Sequence, residues 1–286
     1  MSITLKAAAK INIFLDILGK LENGYHSLFM VMQSVGLYDT VTVGKSEKGI
    51  SLSCSGEGIP CDSRNTAYKA AEKFFAKSGI SSGVSISIEK NIPHGAGLAG
   101  GSADAAAVIV GLNELFGTAY DVTELCEIGL QVGSDVPFCI RGGTCLAQNT
   151  GGVISPLKHL ADCDIVLAKP SKTVSTAEAY EMADSVYIYH PDCQRMLDLC
   201  EKGDFDGICS CAGNVFEQVV EVPERVEIKR IMRENNAKLA QMSGSGPTVF
   251  GIFENESDAS ASAEHLKKIC PDVFVAKPVK NGVIIL

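Results

Sequence analysis

The chain has 286 residues, 46% of them hydrophobic and 21% charged, and a formal net charge of −9. That length is comfortable for two domains, and the balance suits a folded protein rather than a disordered one. The acidic total argues against a general nucleic-acid binder, which presents a basic face; an anionic small substrate would need a local positive field from backbone N–H groups, a lysine or a metal.

Ser2–Ala7 and Lys10–Gly19 read as two β segments broken by Ala7-Ala8-Ala9, rather than as a signal peptide, because no continuous apolar core follows Lys6 and Lys10. Leu21-Glu22-Asn23-Gly24 is a turn, residues 28–43 are further strand, and Ile50–Cys54 is another. Asn65 stands where an N-cap belongs, before an amphipathic helix over Thr66–Lys77 that Gly79 ends. Strand 84–90, a glycine-rich loop and a helix from about Ser102 to Phe116 follow. Asp121 caps a helix over Val122–Val132, and Pro137 suits the first turn of another. After strand Thr144–Gln148, residues 149–156 are the best linker candidate, which divides the chain into domains 1–155 and 156–286.

The second half begins with strand Asp164–Ala168 and continues with helices near 176–184, 193–201 and 213–220. A long amphipathic helix over Pro223–Asn235 precedes a second glycine-rich segment, Ser243-Gly244-Ser245-Gly246-Pro247-Thr248. Strand Val249–Phe253, helix 257–269, strand 273–277 and a short strand at Val283–Leu286 complete it. Helices mix with hairpins, so the expected class is α+β. No apolar run approaches the roughly 18 residues of a membrane span. The eleven cysteines include no C-x-x-C, the nearest pair being Cys209-Ser210-Cys211; they read as mostly buried thiols of a reducing cytoplasm.

The chemistry concentrates at residues 93–107. Gly95, Gly97, Gly100 and Gly101 lie between a strand and a helix start. Glycine lets backbone N–H groups approach a phosphate, and the helix N-terminus adds free donors and partial positive charge. Gly95-x-Gly97-x-x-Gly100 formally matches a dinucleotide fingerprint, but that fold needs an acidic residue ending the next strand about 20 residues on. Asp121 instead caps a helix, and two helices run where the strand should be. The Walker pattern fails because no Gly-Lys-Ser/Thr closes the loop. A turn that merely packs a helix closely needs fewer glycines than these.

Pro93-x-x-x-Gly97-Leu98-x-Gly100-Gly101-Ser102 resembles the ATP loop of the GHMP kinases (galactokinase, homoserine, mevalonate and phosphomevalonate kinases). Ala8-Ala9-Lys10-Ile11-Asn12 and Ser243–Gly251 resemble two further motifs of that family, in its order and spacing. The resemblance covers nearly the whole chain. It implies a two-domain GHMP kinase fold, with an N-terminal domain like part of ribosomal protein S5, a ferredoxin-like C-terminal domain and a site in the cleft between them. It implies ATP as co-substrate, with Pro93, His94, Gly95, Ala96, Gly97, Leu98, Ala99, Gly100, Gly101, Ser102 and Ala103 around its phosphates.

Gly24-Tyr25-His26 and Gly133-Ser134-Asp135-Val136-Pro137-Phe138 are similar to family members that phosphorylate a tertiary hydroxyl of a cytidyl diphosphate in isoprenoid-precursor synthesis. By that likeness Asp135 would accept or orient the hydroxyl proton, and Lys10 would pair with it and stabilise charge on the transferring phosphoryl. Asn12 and Thr176 would touch the substrate. Tyr25 would stack on cytosine while His26 pairs with the base edge. By the same likeness Asn65 would reach adenine. Taken singly, each position has a plainer reading: Asp135 as a helix cap, Lys10 as a snorkelling strand lysine, Tyr25 and His26 as a surface turn, Asn65 as a cap alone. A homoserine- or mevalonate-type kinase and a non-catalytic nucleotide binder of the same fold stay open beside the cytidyl reading. Relatives often carry a second hydroxyl residue after Ser102. Here it is Ala103, so Mg²⁺ would be held mainly by ATP phosphates and water, with no protein ligand. The remaining expectations are no membrane partner, a cytoplasmic location, and a monomer or weak homodimer.

Overall fold

A computed structural model describes residues 1–56 and 58–286. The elements in chain order are β1 (Ser2–Lys20), β2 (His26–Ser46), β3 (Ile50–Cys54), α1 (Thr66–Ser78), β4 (Gly83–Glu89), α2 (Gly100–Phe116), α3 (Val122–Leu130), α4 (Val136–Arg141), β5 (Thr144–Asn149) and β6 (Val153–Pro156). The second half adds β7 (Asp164–Lys169), α5 (Thr176–Ser185), α6 (Cys193–Lys202), α7 (Phe205–Cys211), β8 (Gly213–Asn214), α8 (Arg225–Glu234), β9 (Leu239–Met242), β10 (Val249–Phe253), α9 (Glu256–Leu266), β11 (Asp272–Ala276) and β12 (Val283–Ile285).

Two sheets organise the molecule. In the larger, β2 runs antiparallel to β1 along nearly its whole length and then divides its other edge, pairing β5 at Leu28–Gln33 and β4 at Thr40–Ser46. The smaller sheet has the order β11-β7-β10-β9, all antiparallel. Counted along its own strands this is 4-1-3-2, a ferredoxin-like arrangement. Alternation along β7 decides its packing: Val166 and Ala168 face Ile228, Met232 and Leu266 of α8 and α9, while Ile165 and Leu167 join the main core.

Helix α2 is apolar nearly all round and lies in the main core, with ten of its residues buried. Its alanines allow close approach, and Gly111 is required there: a Cβ would stand 2.7 Å from Val43 and 2.9 Å from Leu5. The helix begins at Gly100, two residues earlier than the sequence suggests.

Three local readings need correction. The alanines at 7–9 do not break the chain into two strands; β1 continues through them with a register shift between Ala8 and Ala9, because all three are buried and the bulge absorbs the irregularity. Residues 149–156 are a β5–β6 hairpin, not an open linker. The segment near 213–220 is a short strand and a 3₁₀ turn over Val215–Gln218 rather than an α-helix.

The outer edge of β1 is shared among distant segments. The Ala8 amide donates to Gly282 O (2.8 Å), the Lys10 amide to Leu98 O (3.1 Å) and the Asn12 amide to Ser243 Oγ (3.3 Å). β12 pairs at Leu5–Ala7 and β8 at Phe14–Leu15.

Candidate active site

The i, i+2 spacing of Lys10 and Asn12 puts both side chains on one face of β1. Both are buried, and the Lys10 ammonium donates to Asn12 Oδ1 at 2.7 Å. Asp135 is the N-cap residue of α4, yet its carboxylate caps no amide there. It faces Lys10 instead, with Oδ2 at 3.6 Å from Nζ, and stays partly open to solvent. The capping reading of Asp135 is therefore not the one its side chain adopts.

The glycine loop is pinned on both sides. Ala96 and Leu98 are buried on either side of Gly97. Gly97 has φ +74°, and a Cβ there would lie 2.3 Å from Ser243 O. The Ser243 hydroxyl donates to Gly97 O at 2.9 Å, so the second glycine-rich segment locks onto the first. Gly244 lies close over Lys10 and Asn12: its absent Cβ would stand 3.5 Å from Lys10 Nζ and from Asn12 Oδ1. Ala99 closes the loop in the left-handed region (φ 57°) with no side-chain cap on α2. The first amides of that 17-residue helix are thus left for a ligand. Thr66 Oγ1 donates to Gly101 O at 2.7 Å, tying α1 to the same turn. Asn65 caps α1 through the Ala67 amide (2.9 Å), and its Nδ2 donates to Pro60 O.

One cavity of about 830 Å³ is lined by Lys10, Asn12, Tyr25, His26, Pro93–Gly97, Ala99–Ser102, Asp135 and Thr176. Leu98 and Ala103 lie beneath the surface and support the loop from the core. Tyr25 is 64% exposed at the β1–β2 turn. Thr176 begins α5, its hydroxyl 3.0 Å from that of Ser245.

Two groups of side chains here escaped the sequence reading. Lys90, at the end of β4, donates to Asp39 and to Asp104 (2.7 Å), both buried. Asp39 also accepts from the Asn91 and Ile92 amides at 2.6 and 2.8 Å. Burial pushes Asp104 up to about 7 against the pull of Lys90. Burial draws Lys90 down, but Asp104 and Asp39 outweigh it and its net shift is upward. A lone Asp39 inside an apolar strand is the sequence signal for this cluster. The second group is Tyr180 and Asp184 on the α5 wall, which recur with the expected Thr176 at i, i+4 and i+8, one stripe of a helix, and all three line the cavity. Tyr180 stacks on His26 (centroids 4.6 Å apart, 13° between planes), and Asp184 Oδ1 accepts from His26 Nε2 at 2.7 Å.

A buried lysine faces a carboxylate beside a helix start built of Ala99, Gly100 and Gly101, and the chain belongs to the GHMP kinase family. The family models "GHMP kinases N terminal domain" and "GHMP kinases C terminal" match residues 65–143 and 196–272. Nearer likeness is to a 4-diphosphocytidyl-2-C-methyl-D-erythritol kinase of Geobacillus thermodenitrificans, 43% identical over 281 residues and covering 97% of each chain. A crystal structure of 4-(cytidine 5'-diphospho)-2C-methyl-D-erythritol kinase superposes with TM-score 0.76 at 28% identity, over 96% of this chain and 98% of that one. A homoserine kinase from Cytophaga hutchinsonii superposes at 0.81 but 20% identity, over 100% and 97%, which shows the common fold alone.

Proposed function

We propose that the protein transfers the γ-phosphoryl of ATP to the 2-hydroxyl of 4-diphosphocytidyl-2-C-methyl-D-erythritol, a step of non-mevalonate isoprenoid-precursor synthesis. The full-length similarity to kinases of that description identifies the reaction. The observation that carries the chemistry is the Lys10–Asp135 pair at 3.6 Å in the shared cavity.

The loop and the α2 amides hold the ATP phosphates, and Lys10 sits where negative charge on the moving phosphoryl needs a cation. Asp135 receives or orients the hydroxyl proton as the oxygen attacks. Asn12 holds the Lys10 ammonium and lines the substrate side. Tyr25 and His26 at the hairpin tip take the cytosine, with Thr176 on the opposite wall. Mg²⁺ would be held mainly by the ATP phosphates and water and would neutralise charge on them, since Ala103 offers no hydroxyl to it and Asp104 is bonded to Lys90. No helix among the described residues is long and apolar enough to cross a membrane. We place the enzyme in the cytoplasm as a monomer or weak homodimer.

The test is ADP release with three acceptors: the diphosphocytidyl methylerythritol, mevalonate and homoserine. Turnover with the first alone is expected. Turnover with only the latter two would overturn the assignment.

A further inference from the structure

Resting on the cytidyl acceptor proposed above, we infer that Asp184 is a specificity-positioning residue, setting the tautomer of His26 so that the ring reads cytosine and rejects uracil. A neutral imidazole carries one N–H and one lone pair, and whatever bonds one nitrogen decides the role of the other. Asp184 is held by Lys20 (2.5 Å) as well as by His26, and the Lys20 and His26 bonds draw its carboxyl below the usual range. A carboxylate only accepts, so His26 Nε2 carries the proton. In the neutral ring Nδ1 then presents a lone pair, and it has no hydrogen-bond partner among the described residues.

The ring's plane is fixed independently. His26 lies parallel to Tyr180, and Tyr180 meets Phe216 edge to face at 5.0 Å. His26 is almost wholly enclosed, its side chain 9% exposed, and it lines the cavity beside Tyr25. An acceptor nitrogen of set orientation matches the exocyclic amine of cytosine, which donates. The corresponding position of uracil is a carbonyl, which also accepts, so the two lone pairs would oppose each other. Asp184 touches no substrate atom; it acts through His26. It comes from α5 and His26 from β2, so base selection is assembled across the two halves of the chain.

The experiment compares the cytidyl acceptor with its uridyl counterpart in the full-length enzyme, for wild type, Asp184→Ala and Asp184→Asn. In Asp184→Ala the KM for the cytidyl acceptor should rise about tenfold, kcat should change far less, and the KM for ATP should hold. The ratio of kcat/KM for cytidyl over uridyl should fall by about tenfold or more, the scale of one mispaired buried polar group. Asp184→Asn keeps an acceptor oxygen and should retain most of the ratio. Nitrogen NMR of the wild-type imidazole should show Nε2 protonated and Nδ1 bare, a reading that does not depend on any variant folding. A proton on Nδ1 in the wild type, or an unchanged ratio in active Asp184→Ala, overturns the inference. Wild-type enzyme inert toward the cytidyl acceptor overturns the acceptor assignment and this inference with it.

Discussion

Asp135 stands at a helix start whose amides it leaves alone, and its carboxylate turns toward a buried ammonium. A proton acceptor needs that freedom, so Asp135→Ala should lower kcat by about 10²–10⁴-fold while ATP affinity measured by calorimetry stays near wild type. Persistence of turnover within a few-fold would remove Asp135 from the reaction. Tyr25→Ala should raise the KM for the cytidyl acceptor by about tenfold, within the 1–3 kcal/mol of a base–aromatic stack, and leave ATP untouched; an equal loss for both ligands would place Tyr25 elsewhere. The Lys10–Asp135 approach was legible because a lysine amid apolar strand residues is costly to bury without a carboxylate, whereas Asn12 stood out only by its place in the family motif. Asp184 was not legible, since an acid in the last turn of a polar helix looks like any solvated residue until His26 is seen beside it.

At the scale of elements, the phosphate loop depends on contacts that sequence spacing does not display. Gly97→Ala forces a Cβ against Ser243 O at a positive φ. It should cost about 1–2 kcal/mol from the backbone alone and displace the loop, seen as a raised KM for ATP together with a lowered melting temperature. The strut joining β4 to α2 is equally exacting: Lys90→Met leaves Asp39 and Asp104 buried together without a cation and should destabilise the fold by about 3–5 kcal/mol in urea denaturation. The raised pKa of Asp104 also sets a pH signature. The folded protein holds that proton longer than the unfolded chain, so its contribution is full below about pH 4 and is lost as pH climbs toward about 7. Wild type should therefore lose stability relative to Asp104→Asn across that window, and a flat difference would refute it. The helices and glycine turns were legible from caps: Asn65 and Asp121 both bond the amides their positions imply. The continuity of β1 through Ala7–Ala9 was not, because alanine has little strand propensity and only burial in a long pairing keeps it extended.

For the molecule as a whole, we propose the division near residues 155 and 156, with two returns across it. β8 and β12 both lie beyond that point, yet both pair with β1. A fragment 1–155 would bare one edge of a 19-residue strand and should aggregate on expression; adding the remaining residues as a separate chain should restore solubility. Monodisperse fragment alone would show that the first half closes its own sheet. The family-scale likeness was legible because its motifs stand in order along the chain; the returns were not, since short strands at 213–214 and 283–285 carry no pairing signal of their own. That shared edge also makes β1 a natural reporter for amide hydrogen exchange. The Ala8 proton is shielded by the C-terminal tail, the Lys10 proton by the phosphate loop and the Asn12 proton by Ser243. Three neighbouring amides on one strand therefore record, separately and in the same measurement, how often each of three distant segments lets go.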